Sequence, residues 1–135
     1  MRATGINTLL NEDGNTSDIV EAIMLADKGA AAYFTPDFLA KFSGTDKEKC
    51  AQIWAWLKSN IRYKTDPPGA QRVQSPGALY ESRKGDCKSL SVFTAGLLKS
   101  LNIPYNYRFA GYGKDKEFRH VYVIAKPKKG DQIII

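Results

Sequence analysis

Residues 83–92 have the sequence RKGDCKSLSV, in which a glycine and an aspartate lie directly before a cysteine. Beyond Cys87, apolar residues recur at helical spacing, at Leu90, Phe93, Leu97 and Leu101. The pattern predicts a central helix that begins at or just before Cys87, with Asp86 as its cap. Gly85 is expected to let the backbone turn sharply into this helix. The thiol is therefore expected in the first helical turn.

The part of the chain before residue 65 is expected to be helical. Thr16 or Ser17 is expected to cap a first helix, and Pro36 occupies the first position of a second one. Residues 1–15 are polar and contain glycine and asparagines, so we expect a flexible N-terminal arm before a single domain of residues 16–135.

A capping box predicts the start of a third helix. Thr45 and Glu48 have the spacing at which each side chain satisfies a free backbone N–H of the first turn. The apolar stripe that follows consists of Cys50, Ile53, Trp54, Leu57 and Ile61. Cys50 is interpreted as a small core residue. Trp54 and Trp56 are candidates for a substrate groove, but the position of Trp54 on the stripe favours a packing role.

Beyond residue 104 the hydrophobic period changes from helical to alternating. The segments YNYRFAGYG, RHVYVIAK and QIII predict three antiparallel strands separated by polar turns. Residues 65–77 carry three prolines and two glycines, which predicts a loop. The predicted fold class is α+β, in which N-terminal helices and a central helix starting at Cys87 pack on an antiparallel sheet of at least three strands.

Charge and hydropathy exclude several kinds of partner. The net charge is +6, from 20 basic and 14 acidic residues, but the basic residues are scattered except for Lys126, Lys128 and Lys129. A nucleic-acid surface needs a wider basic stripe with aromatic residues beside it, so no nucleic acid is expected. The longest apolar stretch, residues 30–34, is far too short to cross a bilayer, and no signal peptide precedes it. We therefore expect a cytoplasmic protein with no membrane partner.

The cysteine and histidine counts argue against a metal site. Two cysteines and one histidine cannot supply the four ligands of a structural zinc ion without carboxylates, so no metal is expected. A disulfide between Cys50 and Cys87 is possible on count alone, although thiols stay free in a reducing compartment.

Cys87 and His120 are the candidate catalytic residues. Free N–H groups and the positive end of the dipole at a helix start favour a thiolate, and can lower a thiol pKa from about 8.5 to ~3.5–7.5. An imidazole can take the thiol proton and return it to a leaving group. The alternatives are a cysteine that only fills space and a structural histidine. A helix that carries the thiol and packs on a sheet that carries the imidazole can bring the two together.

The motifs resemble those of the transglutaminase-like superfamily of papain-like cysteine enzymes. The resemblance covers residues 53–135 and rests on IWAWLKSNIRY, on SPGALYESRKGDCKSLSVFTAGLLKSLNIPYNYRFAGY and on RHVYV. It implies a papain-like or transglutaminase-core fold in which Cys87 is the nucleophile and His120 the base. Both residues occupy the positions of the family's catalytic pair, in G-D-C and in H-V-Y-V.

The family's triad includes an aspartate at the end of the strand that follows the histidine strand. That predicted strand is residues 132–135, so the third acid is not present in the chain and is expected just after Ile135, in a domain truncated at its C-terminus. Asp131 is interpreted as a turn former at the wrong end of the strand. For the oxyanion hole we expect the backbone N–H of Cys87 and the side chain of Gln74, with Gln71 behind it. The alternative for Gln74 is an exposed loop amide.

The predicted function is a transglutaminase-like cysteine hydrolase or acyltransferase. It would act on amide or peptide bonds of a peptide or protein substrate through an acyl-enzyme, and the mechanism implies no cofactor. Hydrolysis is favoured over crosslinking only by analogy with small bacterial-looking members. The alternatives are a catalytically inactive binding or assembly module with the same fold, and a nucleic-acid binder. The substrate and the oligomeric state stay open.

Overall fold

Helix α5 (Cys87–Ser100) is the most buried element of the structure, a computed structural model that describes residues 1, 7–9, 16–66, 72–111, 118–128 and 130–135. Apart from Leu90, which is partly exposed, all of its residues up to Leu98 are buried. A helix that is buried on almost every side needs neighbours around it. Helix α1 (Thr16–Ala30) and the main sheet both pack against α5. The predicted start of the central helix at Cys87 is confirmed.

The main sheet has three antiparallel strands in the order β5–β6–β7. They are β5 (Tyr105–Gly111), β6 (Phe118–Ala125) and β7 (Ile133–Ile134). Val121 and Val123 alternate along β6 and are each 1% exposed, as expected for a strand with one face against a helix. The predicted α+β class, with its antiparallel sheet, is confirmed.

The N-terminal helices agree with the predicted order. Helix α1 is followed by a 3₁₀ turn (Ala31–Tyr33) and by α2 (Pro36–Leu39), which is only one turn long and is capped by the Thr35 side chain. The side chains of Thr16 and Ser17, the predicted caps of α1, lie outside the described part of the chain.

Helix α3 (Asp46–Asn60) begins with the predicted capping box of Thr45 and Glu48. Cys50 is 1% exposed, which confirms it as a core residue. Trp54 is 52% exposed, so its predicted packing role is wrong. The tryptophan that packs is Trp56.

An aromatic cluster explains why Trp56 is the tryptophan that packs. Its ring stacks on Phe93 with centroids 5.4 Å apart and meets Phe38 edge-on at 5.2 Å. Phe38 comes from α2 and Phe93 from α5, so the partners belong to other elements of the fold. Such ring pairs add stabilisation beyond the buried area.

Two short sheets were not predicted. Strand β2 (Arg62–Tyr63) pairs in parallel with β4 (Lys84–Gly85), and β3 (Arg72–Gln74) pairs antiparallel with β1 (Asn7–Leu9). Strand β1 falls within the segment expected to form a flexible arm.

The predicted loop of residues 65–77 is only partly a loop. It contains β3 and the first two residues of helix α4 (Pro76–Ser82), while residues 67–71 lie outside the described part. Ser75 caps α4 and Pro76 occupies its first position, so this serine and this proline begin a helix.

A buried ion-pair network holds the first turn of α5. Lys88 is 1% exposed, and its ammonium group pairs with the carboxylates of Asp86 and Asp66, the latter at 3.7 Å. Asp86 also accepts a hydrogen bond from the Lys88 backbone N–H at 3.1 Å, which makes it the helix cap. Asp66 in turn accepts from the backbone N–H of Arg72 at 2.8 Å. The network thus ties the helix start to the loop before β3.

Gly96 lets α1 and the following turn approach α5 closely. A Cβ at this position would lie 2.8 Å from the Ala30 side chain and 2.9 Å from the Phe34 ring. We predict that Gly96→Ala lowers the free energy of unfolding by about 1–3 kcal/mol through overpacking. Gly29→Ala, in α1 with open space around it, is the matched control and should raise stability by about 0.5–1 kcal/mol. Urea denaturation measures both values, and equal effects would contradict the close packing.

Removal of the buried cation tests the ion-pair network. We expect Lys88→Met to lower the free energy of unfolding by about 3–5 kcal/mol, because it leaves the buried carboxylate of Asp86 without its cation. Lys99→Met, at the exposed end of the same helix, should change it by no more than about 0.5 kcal/mol. Chemical denaturation of both variants separates the two effects. A Lys88 variant as stable as the Lys99 variant would show that the network does not stabilise the fold.

Candidate functional site

The thiol of Cys87 lies against strand β6, next to the predicted base. Cys87 is 7% exposed, and the backbone N–H of Val121 is hydrogen-bonded to its sulfur. One turn along α5, the Ser91 hydroxyl donates to the Val121 carbonyl at 3.2 Å. Because Val121 directly follows His120 in β6, these contacts fix the helix start beside the strand position that carries the imidazole.

Cys87 and His120 line one cavity of about 330 Å³ between α3, α5 and β6. Its walls are largely apolar and include Leu57, Leu90 and Val123. Within the described part of the chain, no hydrogen bond joins the thiol to the imidazole. Catalytic hydrogen bonds often tighten only when substrate binds, so this arrangement is compatible with a catalytic pair.

Burial raises the pKa of the Cys87 thiol above its ordinary value of 9.0. The Val121 N–H lowers this pKa, the Asp86 charge raises it, and the Lys88 charge and the Tyr63 hydroxyl lower it, but desolvation is the largest effect. The prediction that the helix start lowers the pKa of Cys87 is therefore wrong for this structure. The resting side chain is a neutral thiol. Cys50 and Cys87 are both free, so the alternative of a disulfide does not apply.

His120 is half-buried in β6, opposite Ala110 of β5, and its ring stacks on Tyr122 with centroids 5.8 Å apart. No residue with a carboxylate side chain is among the described residues that line the cavity. Asp131 is exposed and precedes β7, whose Ile133 pairs with Ala125 at the other end of β6 from His120. This position agrees with a turn former and keeps Asp131 away from the imidazole.

Gln74, the predicted oxyanion donor, is not among the residues that line the cavity. Its amide nitrogen donates to the Lys84 carbonyl at 2.8 Å, and its amide oxygen accepts from the Ser82 hydroxyl at 2.9 Å. These contacts favour a structural role in holding β4, and the oxyanion role stays a prediction. Gln71 lies outside the described residues.

Gly85 explains why Gln74 can lie so close to β4. A Cβ on Gly85 would lie 2.8 Å from Leu79 and 3.0 Å from the Gln74 amide nitrogen. The backbone of Gly85 does not have a positive φ. The glycine therefore provides room for packing, where the sequence predicted a sharp turn.

Tyr63 is the site residue that the sequence did not reveal. It lines the cavity, and its hydroxyl forms a hydrogen bond with Cys87. Burial and then the charges of Cys87 and Asp86 raise the pKa of Tyr63, so the phenol keeps its proton and can donate. The parallel pairing of Tyr63 with Gly85 places it there. Strands of two residues leave no hydrophobic period in the sequence from which this pairing could be predicted.

Other kinds of site were sought among the described residues. They contain no group of three or more His, Cys, Asp or Glu residues that could hold a metal ion. In the same part of the chain, no helix combines the length and the apolar character that a membrane span requires.

Three solved structures resemble the chain. A candidate protease from Parabacteroides distasonis aligns with 87% of this chain and 25% of that chain, with a TM-score of 0.61 and 15% identity. A candidate cysteine protease from Cytophaga hutchinsonii aligns over 90% and 38%, with a TM-score of 0.47 and 21% identity. The periplasmic domain of TgpA from Pseudomonas aeruginosa, bound to ethylmercury, aligns over 87% and 43%, with a TM-score of 0.42 and 17% identity. The chain thus spans less than half the length of each.

These comparisons separate fold from family. At 15% identity, the Parabacteroides structure shows a shared fold and nothing about activity. No functionally curated protein matches the sequence significantly. The sequence model that describes the transglutaminase-like superfamily matches residues 36–129, which include α3, α5 and the strand of His120. The chain belongs to the transglutaminase-like superfamily.

Proposed function

We propose that this domain is a cysteine hydrolase or acyltransferase that attacks amide or peptide bonds and forms an acyl-enzyme. The observation that carries the proposal is the cavity that Cys87 and His120 both line. In it the backbone N–H of Val121, the residue after His120, is hydrogen-bonded to the Cys87 sulfur. Membership of the superfamily supports the same chemistry. A peptide or protein is the proposed substrate.

The raised pKa of Cys87 supports a first step in which a base removes the thiol proton. Because the resting thiol is neutral, a base must remove its proton as the sulfur attacks the carbonyl carbon. His120 would take this proton and then give it to the departing amine, which leaves a thioester on Cys87. Water or an amine, deprotonated by His120, then attacks the thioester and releases the acyl group. The thiol recovers its proton from the imidazolium, so the cycle closes without a cofactor.

Two donors are proposed to stabilise the oxyanion. The backbone N–H of Cys87, at the start of α5, lies beside the Tyr63 hydroxyl. N–H groups in the first helical turn have no partner within the helix, and the Cys87 N–H donates to the Tyr63 hydroxyl, which a substrate oxygen would have to replace. The proposed oxyanion hole therefore consists of the Cys87 N–H and the protonated Tyr63 phenol.

The orienting acid is proposed to come from a segment that extends β7. Ile134 pairs with Ile124, and the backbone N–H of Ile135 donates to the Val123 carbonyl at 3.0 Å. Pairing continued in this register would run along Tyr122 toward His120. An aspartate there would hold the imidazole in the required tautomer and stabilise the imidazolium.

The second candidate function is a binding module that keeps the fold and performs no turnover. Its support is the cavity itself, since none of the described residues that line it has a carboxylate side chain. Such a module would bind a peptide in the same cavity and leave it intact. Reactivity of the thiol distinguishes the two functions.

Alkylation by iodoacetamide between pH 5 and 9 tests whether His120 acts on Cys87. In the wild type we expect the labelling rate of Cys87 to rise well below pH 9.0, because His120 accepts the thiol proton. In His120→Ala the increase in labelling rate should move above pH 9.0, where the buried Cys87 thiol itself ionises. Mass spectrometry of the digested protein measures the label on each cysteine.

Cys50 provides the internal control for this measurement. Burial and the Asp46 charge raise the pKa of Cys50 to about 11, so it should stay unlabelled over the whole range. Identical profiles for wild type and His120→Ala would contradict the catalytic pair and favour the binding module.

Tyr63→Phe tests the proposed oxyanion hole. With p-nitrophenyl acetate as acyl donor, we expect the rate of Cys87 acylation to fall about 100-fold, because one donor to the oxyanion is lost. Alkylation by iodoacetamide forms no oxyanion, so its rate reports only the change in thiol ionisation. A larger loss in acylation than in alkylation supports the role of Tyr63. Equal losses would assign Tyr63 only to the ionisation of the thiol.

A further inference from the structure

A second cavity, of about 530 Å³, opens beside the β2–β4 pair. Four cationic side chains line it, and together they form the basic groove: Lys58, Arg62, Arg83 and Lys84. Its other lining residues are small, polar or aliphatic, and none of them is acidic. Among the described residues, the ion pairs found all involve Lys88, so no described carboxylate neutralises the groove.

Arg83 is held in place by neutral partners only. Its Nε donates to the Tyr80 carbonyl, and Nη1 donates to the Asn60 side-chain oxygen at 3.2 Å. The guanidinium also lies over the Tyr80 ring at 4.3 Å and the Trp56 ring at 5.6 Å. These contacts fix the orientation of the group and leave its charge uncompensated. A cation fixed in this way loses little conformational entropy when an anion binds.

The backbone of Arg83 also favours a role for its side chain. Arg83 ends helix α4 with φ 60° and ψ 18°, the left-handed conformation that glycine adopts most readily at helix ends. A non-glycine residue in this region carries a backbone strain that some other interaction must offset. The chain has arginine here, at the centre of the basic groove.

The basic groove lies next to the cavity that Cys87 and His120 line. Lys58 and Ile61 line both, and Tyr63, two residues further along the chain, lines only the catalytic cavity. A ligand held by the groove can therefore extend past Ile61 toward Cys87. A surface on which nucleotide bases stack needs aromatic side chains, and the described lining of the groove contains none.

We propose that the basic groove binds a glutamate- or aspartate-rich segment of the peptide substrate, next to the amide bond that Cys87 attacks. This inference rests on the proposed function and names the class of peptide that the site selects. Arg83 would bind a carboxylate through the N–H groups that Tyr80 and Asn60 leave free. Lys58, Arg62 and Lys84 add charge attraction around it.

Fluorescence anisotropy with two labelled peptides tests the proposal. The peptides are identical except that one carries glutamates where the other carries glutamines, and Cys87→Ser protein prevents turnover. We expect the glutamate peptide to bind at least about tenfold more tightly at low salt, about 0.01 M, and to lose most of this advantage at about 0.15 M.

Two variants and one control assign the binding to the groove. Arg83→Gly removes the guanidinium at a backbone position that glycine adopts without strain. It should weaken binding of the glutamate peptide about tenfold and leave the affinity for the glutamine peptide unchanged. Arg62→Glu gives an independent test on β2. Lys41→Glu changes the net charge by the same amount as Arg62→Glu, at an exposed position outside both cavities, and should have little effect.

Three results would overturn the proposal. They are equal affinities for the two peptides, equal effects of Arg62→Glu and Lys41→Glu, and displacement of the glutamate peptide by a single-stranded DNA that binds more tightly. The last result would assign the groove to polyanions in general. Peptide binding does not require the proton transfer by His120, so failure of the alkylation test and failure of this one are separate results.

Discussion

The first turn of α5 has to hold a capping carboxylate, a thiol and a buried ammonium group at Asp86, Cys87 and Lys88. Removing an ammonium from water is costly, and Lys88 is stable there only because Asp86 and Asp66 lie against it. The same carboxylate of Asp86 caps the helix. The position of the thiol therefore depends on an ion pair that does no chemistry itself. Loss of the pair would affect the cap, the loop before β3 and the nucleophile together.

Burial gives the site its shape and raises the energy of its charged forms. The contacts that fix Cys87 against β6 also remove water from the sulfur, and the thiol pKa rises as a consequence. A low thiol pKa would supply a ready nucleophile, whereas in the proposed mechanism His120 removes the proton during attack. The Val121 N–H and the Tyr63 hydroxyl oppose the effect of burial. In the proposed mechanism the Tyr63 hydroxyl would also contact the substrate, so it would stabilise charge both on the sulfur and on the oxyanion.

The sequence predicted what local patterns control. The capping box at Thr45, the helix start at Cys87 and the alternating strands depend on neighbours within a few residues, and all three are confirmed. The failed predictions depend on distant elements. Trp54 and Trp56 exchange their expected environments because Phe38 and Phe93 come from other helices.

Distant elements also decide the chemistry of the site. The pKa of Cys87 is raised by desolvation, which depends on how β6 and Tyr63 pack, whereas the prediction considered only the helix start. Gln74 lies upstream of the cysteine as expected, but Ser82 and Lys84 engage its amide. No short-range pattern contains this information, because the residues concerned meet only in the folded chain.

The parallel pairing of β2 with β4 joins the segment that carries Tyr63 to the segment just before Cys87, and both residues line the cavity. The backbone N–H of Arg62 donates to the Arg83 carbonyl at 2.8 Å, and the backbone N–H of Lys64 donates to the Gly85 carbonyl at 2.9 Å. The segment that follows α3 is therefore hydrogen-bonded to the residues just before Cys87. Sliding α3 away would break both bonds, at about 0.5–1.5 kcal/mol each. A displacement of either segment is therefore transmitted to the other through these hydrogen bonds. The same hydrogen bonds therefore hold the Tyr63 phenol close to the Cys87 sulfur.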